Sequence, residues 1–391
     1  MKGKMNIDIT KEWNEILSDG VLQSLKDLDK ELQEKRDKSR YKLRCLKPKI
    51  IILNNQKYEV WRRYYFDELN NKHVYLLDKK LEIERNQHIS NKDKQSIYEK
   101  AAKHKMTYSQ IINAIKNVLS KSSISRLVKQ FQAVYEVNFE KSVDKYENIY
   151  IDLDDSFCPL KINNKGVDFK CKIVHTYQSR DIKTKKFIND TKTVLLNQCH
   201  MNSAKSTFLT IKSIREILEE YYSKDLSKYR LFFCGDGARY VRTIANYFGG
   251  YIVLDKFHLK SRIKRDFNYK NRTQRDLFVS QIKGFSKIKK DYCNRIINLI
   301  EQIKVDEAIK LLNEFKNEYS FKTKEMNKLI LHLKTNKDAI EIWKDPAYYG
   351  TFTETYVQQL VKSYYGNFGK CYSLDVFINL LSANCITKHL K

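Results

Sequence analysis

The sequence is short of the residues that interrupt or staple a chain. Among 391 residues there are 3 prolines and 11 glycines, and the 8 cysteines contain no CxxC pair. Scarce proline leaves helices and strands unbroken. Cysteines scattered at 45, 158, 171, 199, 234, 293, 371 and 385 argue against a zinc ribbon and against a disulfide framework. No apolar run approaches the roughly 18 residues of a membrane-spanning helix. The opening MKGKMNIDIT carries no apolar stretch of a secretory leader. These absences lead to the expectation of a reduced, cytoplasmic compartment. Acids are also few: 47 Asp and Glu face 74 Lys and Arg, a formal net charge of +27. A polyanion offsets such a charge, with DNA or RNA the first suspicion and an anionic membrane the second. AT-rich codon usage, which favours Lys, Asn, Ile and Tyr, is the competing explanation, but alone it does not unbalance acid and base this far. What the chain does have is 42% hydrophobic residues, enough for a sizeable core and two or three domains.

Residues 1–48 predict one or two surface helices, with Leu17, Leu22, Leu25, Leu28 and Leu32 at helical spacing. Residues 49–90 predict a β-rich arm. There KIIILNNQKYEVWRRYYFD sets two β-rich runs around Asn54-Asn55, a hairpin signal, and KHVYLLD offers a third strand. Residues 91–145 predict a helical helix-turn-helix region. Ile111, Ile112, Ile115 and Leu119 line one face, and Ser122 or Ser123 caps a second helix. That helix turns Ile124, Leu127, Val128 and Phe131 inward and Ser125, Arg126, Lys129 and Gln130 outward. A DNA-reading unit would set the outward face in a major groove; a plain helical hairpin explains the pattern as well. Residues 146–270 turn α/β: strands ENIYIDLDD, VDFKCKIVHTYQ and TKTVLLNQCH, an amphipathic helix, strand YRLFFCG, a helix, and strand YIVLD, with helices to the end. Three strands, helix, strand, helix, strand, helix is the order of an RNase H-like core. Residues 271–345 read as an all-helical insertion, and residues 346–391 as the core's last helix, carrying Glu354.

The strand-terminal acids carry the chemistry. IYIDLDD ends in Asp152, Asp154 and Asp155, and a period of two puts Asp152 and Asp154 on one face. LFFCGDG drives Asp236 out of the fourth strand between two glycines. In an RNase H-like sheet the first and fourth strands are neighbours, so their ends meet. Carboxylates that close raise each other's pKa unless a cation lies between them. Oxygen ligands suit Mg²⁺ or Mn²⁺, and two such ions would activate a nucleophile and stabilise a leaving oxygen in phosphodiester chemistry. Ordinary turn acids are the alternative, favoured for Asp155, while Asp152 reads as a supporting group. Glu354, just inside a helix capped by Thr351 or Thr353, is the expected third ligand.

In this order the motifs resemble those of a DDE transposase of the ISLre type, a bacterial insertion-sequence family in the broad Mutator-like group. RRYYFDELNNKHVYLLDKKLEI resembles the family's arginine-tyrosine β segment, and SKSSISRLVK its helix-turn-helix. IYIDLDD and CGDGARY resemble the two aspartate motifs, with the matches on Asp154 and Asp236. VLDKFHLKSRI resembles the DxxH signature at Asp255 and His258, and GTFTETYVQQLVKS the glutamate motif at Glu354. The chain departs from the family where Thr355, Tyr356 and Gln358 replace small residues and a histidine, and where only Cys45 precedes Cys158.

The resemblance implies metal-dependent cleavage and strand transfer of double-stranded DNA, with Asp154, Asp236 and Glu354 holding two Mg²⁺ or Mn²⁺ ions. Asp255 and His258 would orient the site. Phosphates would be gripped by Lys256, Lys260, Arg262, Lys264 and Arg265, and by Arg62 and Arg63 on the β arm beside Trp61, Tyr64 and Tyr65. Holding two DNA ends implies a homodimer or larger assembly, and the location would be cytoplasmic and nucleoid-associated. An RNase H-like nuclease and a decayed transposase that only binds DNA are the rival readings.

Overall fold

A computed structural model describes residues 9–84, 86–131, 135–137, 139, 145–163, 165–181, 183–199, 201–348, 350, 352–365 and 372–390. The expected cap Thr351 lies outside the described residues. The chain divides into two units, Met1–Val134 with Ile378–Ala383, and Tyr135–Phe377 with Asn384–Lys391.

In the first unit one helix, α1 (Ile9–Lys35), occupies the N-terminal segment. The hairpin follows at once: β1 (Tyr41–Leu53) pairs antiparallel with β2 (Gln56–Asp67) from Tyr41 opposite Asp67 to Leu53 opposite Gln56. The arm therefore starts at residue 41 rather than 49, because β1 runs as far as its partner does. Asn54 and Asn55 adopt φ +48 and +62, the double left-handed turn that suits strand twist. Only Lys72–Val74 of the expected third strand is extended (β3); Leu76–Lys80 is a short helix, α2.

Helices α3 (Asn91–Ala102), α4 (Tyr108–Ala114) and α5 (Lys121–Gln130) follow. Thr107 and Gln110 cap α4 reciprocally, and Ser120, two or three residues before the expected Ser122 or Ser123, accepts the Ser123 N–H to cap α5. Ile111, Ile115, Ile124 and Val128 are buried, Leu127 and Phe131 half-buried, while Arg126 and Lys129 are exposed. Residue Asn379 closes this unit, donating to the Lys129 carbonyl at 2.8 Å.

The second unit is built on a mixed sheet. Its first strands are β4 (Asn148–Ile162), β5 (Lys165–Tyr177) and β8 (Thr191–Gln198); between the last two, β6 (Ser179–Arg180) and β7 (Phe187–Ile188) form a separate two-stranded hairpin. Helix α6 (Ser203–Tyr221) leads to β9 (Arg230–Gly235), α7 (Arg239–Phe248) to β10 (Tyr251–Leu254). The order is β10-β9-β4-β5-β8-β12, where β12 is Ile386–His389; β4, β5 and β8 pair antiparallel, and β4, β9 and β10 parallel. The first and fourth strands are thus neighbours. The expectation of helices alone to the end misses β12, which adds in parallel to the edge of β8.

Along β4, Ile149, Ile151 and Leu153 face one core with α6 and α7, whereas Tyr150 faces the other. By strand alternation Asp152 and Asp154 share the Tyr150 face. Across that face runs a row of rings, His175–Tyr177–Tyr150–Phe232–Tyr251, with centroids 4.8, 5.0, 5.2 and 5.3 Å apart.

Helix α8 (Lys256–Phe267) is followed by helices over the range expected to form an all-helical insertion: α9 (Arg272–Gln281), α10 (Phe285–Glu301), α11 (Val305–Tyr319), α12 (Thr323–Thr335) and α13 (Lys337–Glu341). Leu259, Ile263 and Phe267 of α8 join Phe285, Ile296, Leu312, Phe315 and Leu329 in the core that covers the Tyr150 face. At its end Trp343 Nε1 donates to the Leu254 carbonyl at 2.9 Å, tying the insertion to β10. The last segment holds α14 (Thr353–Tyr356), a π-helical stretch Val357–Lys362, α15 (Ser363–Tyr365), β11 (Tyr372–Ser373) on β4, and α16 (Leu374–Leu381). No helix among the described residues is long and apolar enough to cross a membrane.

Candidate functional site

The site begins where β4 outruns β9. Their pairing stops at Asp152 opposite Cys234, leaving Asp154 and Asp236 beyond the last rung. Gly235 and Gly237 are demanded by the turn. A Cβ on Gly235 would meet Val241 Cγ2 at 2.9 Å. Gly237 has φ +83, and a Cβ there would meet His332 and Leu254 at 2.8 Å. Asp236 is exposed, and its Oδ1 accepts the Ala238 N–H at 2.8 Å.

The end of β10 delivers the next pair. The Asp255 N–H donates to the Gly235 carbonyl at 2.8 Å, setting Asp255 beside the Asp236 turn. Buried Asp255 caps α8, accepting from the Phe257 and His258 N–H groups at 2.6 and 3.2 Å. Its Oδ2 lies 3.2 Å from His258 Nδ1. The ring is thereby held with Nε2 pointing away from the cap, 3.8 Å from Asp154 Oδ2 and 3.9 Å from Glu354 Oε2.

Glu354 arrives from the far end of the insertion. Ligand atoms of Asp154, His258 and Glu354 all lie within 4.8 Å of one another. Asp236 is outside this group, because its carboxylate folds back on its own turn, yet its charge reaches Asp154 and His258. Burial pushes the Asp154 carboxyl up to about 6, against the pull of the His258 charge. The Asp255 carboxylate raises His258 to about 9, so the imidazole is protonated at neutral pH. Among the described residues no Lys or Arg pairs with Asp154; Glu354 accepts from Lys362 Nζ at 2.9 Å.

Asp152, read as a supporting group, is fully buried; its Oδ2 accepts the Phe352 N–H at 3.1 Å and faces His175 Nδ1 at 3.6 Å. Asp155 is a structural acid, paired with Lys170 at 2.5 Å and Lys172 at 3.1 Å. His175, Tyr356 and Lys362 were not anticipated. The one sequence signal was a histidine inside the apolar run of β5, but its neighbours come from distant segments.

Two of the residues expected to grip phosphates are engaged inside the arm. Arg62 is buried and shares Asp78 with Lys49, its guanidinium stacked 3.4 Å from the Tyr75 ring centroid. Arg63 pairs with buried Asp29 at 2.6 Å. Both hold the arm together, since a buried carboxylate needs a compensating charge. On α8, Lys260 pairs with Glu301, and Arg262 and Arg265 lie 3.7 and 3.6 Å from Asp266. Lys256 rests on the Trp343 and Tyr348 rings, and burial lowers its pKa. Lys264 and Arg265 are exposed.

A mixed sheet with carboxylates and one imidazolium gathered at its strand ends is the class of protein this geometry defines. The chain belongs to the Uncharacterised protein family (UPF0236), which matches residues 4–347. Similar proteins come from Caldanaerobacter subterraneus subsp. tengcongensis. One UPF0236 protein is 23% identical over 311 residues, covering 77% of this chain and 61% of its own length. A second is 21% identical over 299 residues, covering 75% and 62%. A third, whose name joins eleven designations of that strain, is 21% identical over 323 residues, covering 79% and 66%. The chain thus spans about three fifths of the length of the first relatives it matches.

Proposed function

We propose that this chain is a DDE transposase acting on double-stranded DNA, with Asp154, Asp236 and Glu354 as the holders of two Mg²⁺ or Mn²⁺ ions. The observation that carries the reading is the convergence of Asp154 and Glu354, from segments on either side of the helical insertion, into one cluster with ligand atoms within 4.8 Å. The donors fit a hard cation: they are carboxylate oxygens, partly withdrawn from water, whose charges oppose one another. Bound there, the ions would supply positive charge to the attacking and leaving oxygens of a phosphodiester. The chain's own contribution is positional. Asp255 pairs with His258 at Nδ1, and the protonated imidazole gives the two carboxylates one positive charge.

The strand order, antiparallel through β4-β5-β8 and parallel through β4-β9-β10, supports an RNase H-like core. The net charge of +27 and the exposed Arg126, Lys129, Lys264 and Arg265 support a nucleic-acid partner and a nucleoid location. A relative whose name joins eleven designations in one strain favours a sequence that multiplies within a genome, as a transposase does and a resident nuclease does not. A dimer or larger assembly follows from the need to hold two DNA ends.

The test uses duplex DNA carrying the genomic sequence on either side of the reading frame. Mg²⁺ or Mn²⁺ is expected to yield cleaved ends with a free 3′-OH, abolished by EDTA and by Asp154→Asn. Folded, metal-loaded protein that binds this duplex without cutting it would leave only the decayed, DNA-binding alternative.

A further inference from the structure

Glu354 sits on a helical piece of four residues, followed by a π-helical stretch. It opens an unbroken helical run, residues 353–365, whose first-turn N–H groups have no partner within the helix, so contacts from outside set how its start is seated. One buried pair touches it on both sides. Two residues before Glu354, the Phe352 N–H donates to Asp152 Oδ2 at 3.1 Å. Two residues after, the Tyr356 ring lies 4.3 Å from the His175 ring. Asp152 and His175 stand opposite each other on β4 and β5, and both are fully buried.

Packing alone does not account for an imidazole here. Its ring also contacts Tyr177 and Phe187, at 4.8 and 4.7 Å, and phenylalanine would fill the same place. His175 instead brings two nitrogens into the core, Nδ1 at 3.6 Å from Asp152 Oδ2 and Nε2 at 3.6 Å from Asp190 Oδ2. Neither nitrogen has a hydrogen-bond partner among the described residues. Polar atoms buried without hydrogen bonds cost stability, a cost that a ring kept for packing alone would not carry.

We infer that Asp152 and His175 are positioning residues for Glu354: His175 orients the Asp152 carboxylate, and that carboxylate holds the Phe352 amide so that Glu354 faces Asp154. The inference rests on the reading of Asp154 and Glu354 as metal holders. Groups that orient metal ligands from behind typically change affinity 10–100-fold when removed.

The experiment uses the full chain, with Mn²⁺ binding followed by electron paramagnetic resonance. Hydrogen exchange of residues 352–356 is measured separately in EDTA. Asp152→Ala is expected to weaken Mn²⁺ binding about 10-fold and to speed exchange of the segment. Asp152→Asn, whose amide oxygen still accepts the Phe352 N–H, is expected to stay within about 3-fold of wild type. His175→Phe keeps the ring stack and is expected to follow Asp152→Ala; it carries the test if Asp152→Ala does not fold. Folded variants with wild-type Mn²⁺ affinity and unchanged exchange would overturn the inference. So would Asp152→Asn as damaged as Asp152→Ala, which would make the charge at 152 the active feature. Wild-type protein that binds no Mn²⁺ would refute the metal reading instead, and the exchange measured in EDTA would still decide the positioning role.

Discussion

In the N-terminal unit, Asp29 meets Arg63 at 2.6 Å, Asp67 meets Arg40 at 2.9 Å, and Asp78 lies between Lys49 and Arg62. In the larger unit, Asp255 faces His258, and Asp152 and Asp154 face histidines with no Lys or Arg paired to either among the described residues. A chain with 74 Lys and Arg has cations to place anywhere. The difference is therefore informative. In the arm each of these carboxylates is neutralised by Lys or Arg; at the strand ends Asp154 and Glu354 share one imidazole, and Glu354 has Lys362 as well.

Substitutions break the comparison from both sides. The largest effect is expected for Asp154→Asn: at least a 100-fold loss of metal-dependent cleavage, with the melting temperature unchanged or raised, because a neutral amide relieves repulsion but cannot hold the ions. Asp78→Ala should do the reverse. It leaves Lys49 and Arg62 buried without their partner and should cost about 3–5 kcal/mol in denaturant unfolding.

Next comes Gly237→Ala, which forces a side chain into a left-handed position against His332 and Leu254. A loss of about 1–3 kcal/mol is expected, measured by the same unfolding. The metal-free protein sharpens the contrast through pH. Asp154 has a folded pKa raised to about 6, so the folded state takes up its proton first and stability rises as pH falls from 6 towards 4. His258, raised to about 9 from 6.5, contributes stability that is full below 6.5 and lost as pH rises through 9. Asp154→Asn should flatten the first limb, and His258→Gln the second, in EDTA melts. With partial exposure discounted, each limb is worth about 1–2 kcal/mol. A further effect, on binding rather than stability, concerns DNA. Arg126→Ala should weaken binding to the element's end by about 1–3 kcal/mol if α5 reads bases. Arg62→Ala should lower stability without changing the salt dependence of DNA binding.

Much of the site was legible because strand ends are local features. An acid after an apolar run, with glycines beside it, marks Asp236, and the Asp255–His258 spacing marks a helix cap and its first turn. The hairpin was legible from Asn54-Asn55, and the insertion from its helical periodicity. The burial of Arg62 was legible too: Tyr58, Val60 and Arg62 alternate on one buried face of β2. His175 could not be placed, because Asp152, Asp190 and the 352–356 segment reach it only through tertiary contacts. Strand β12 was hidden for the same reason; ITKH becomes a strand because β8 offers an open edge.

Anomalous scattering from crystals soaked in Mn²⁺ decides whether Asp154 and Glu354 form a cation site. A peak is expected about 2.1 Å from a carboxylate oxygen of each, with Asp236 turned out of its own loop towards the ion. A saturated soak with no peak at this cluster, or with Mn²⁺ only on other surface acids, would contradict that assignment.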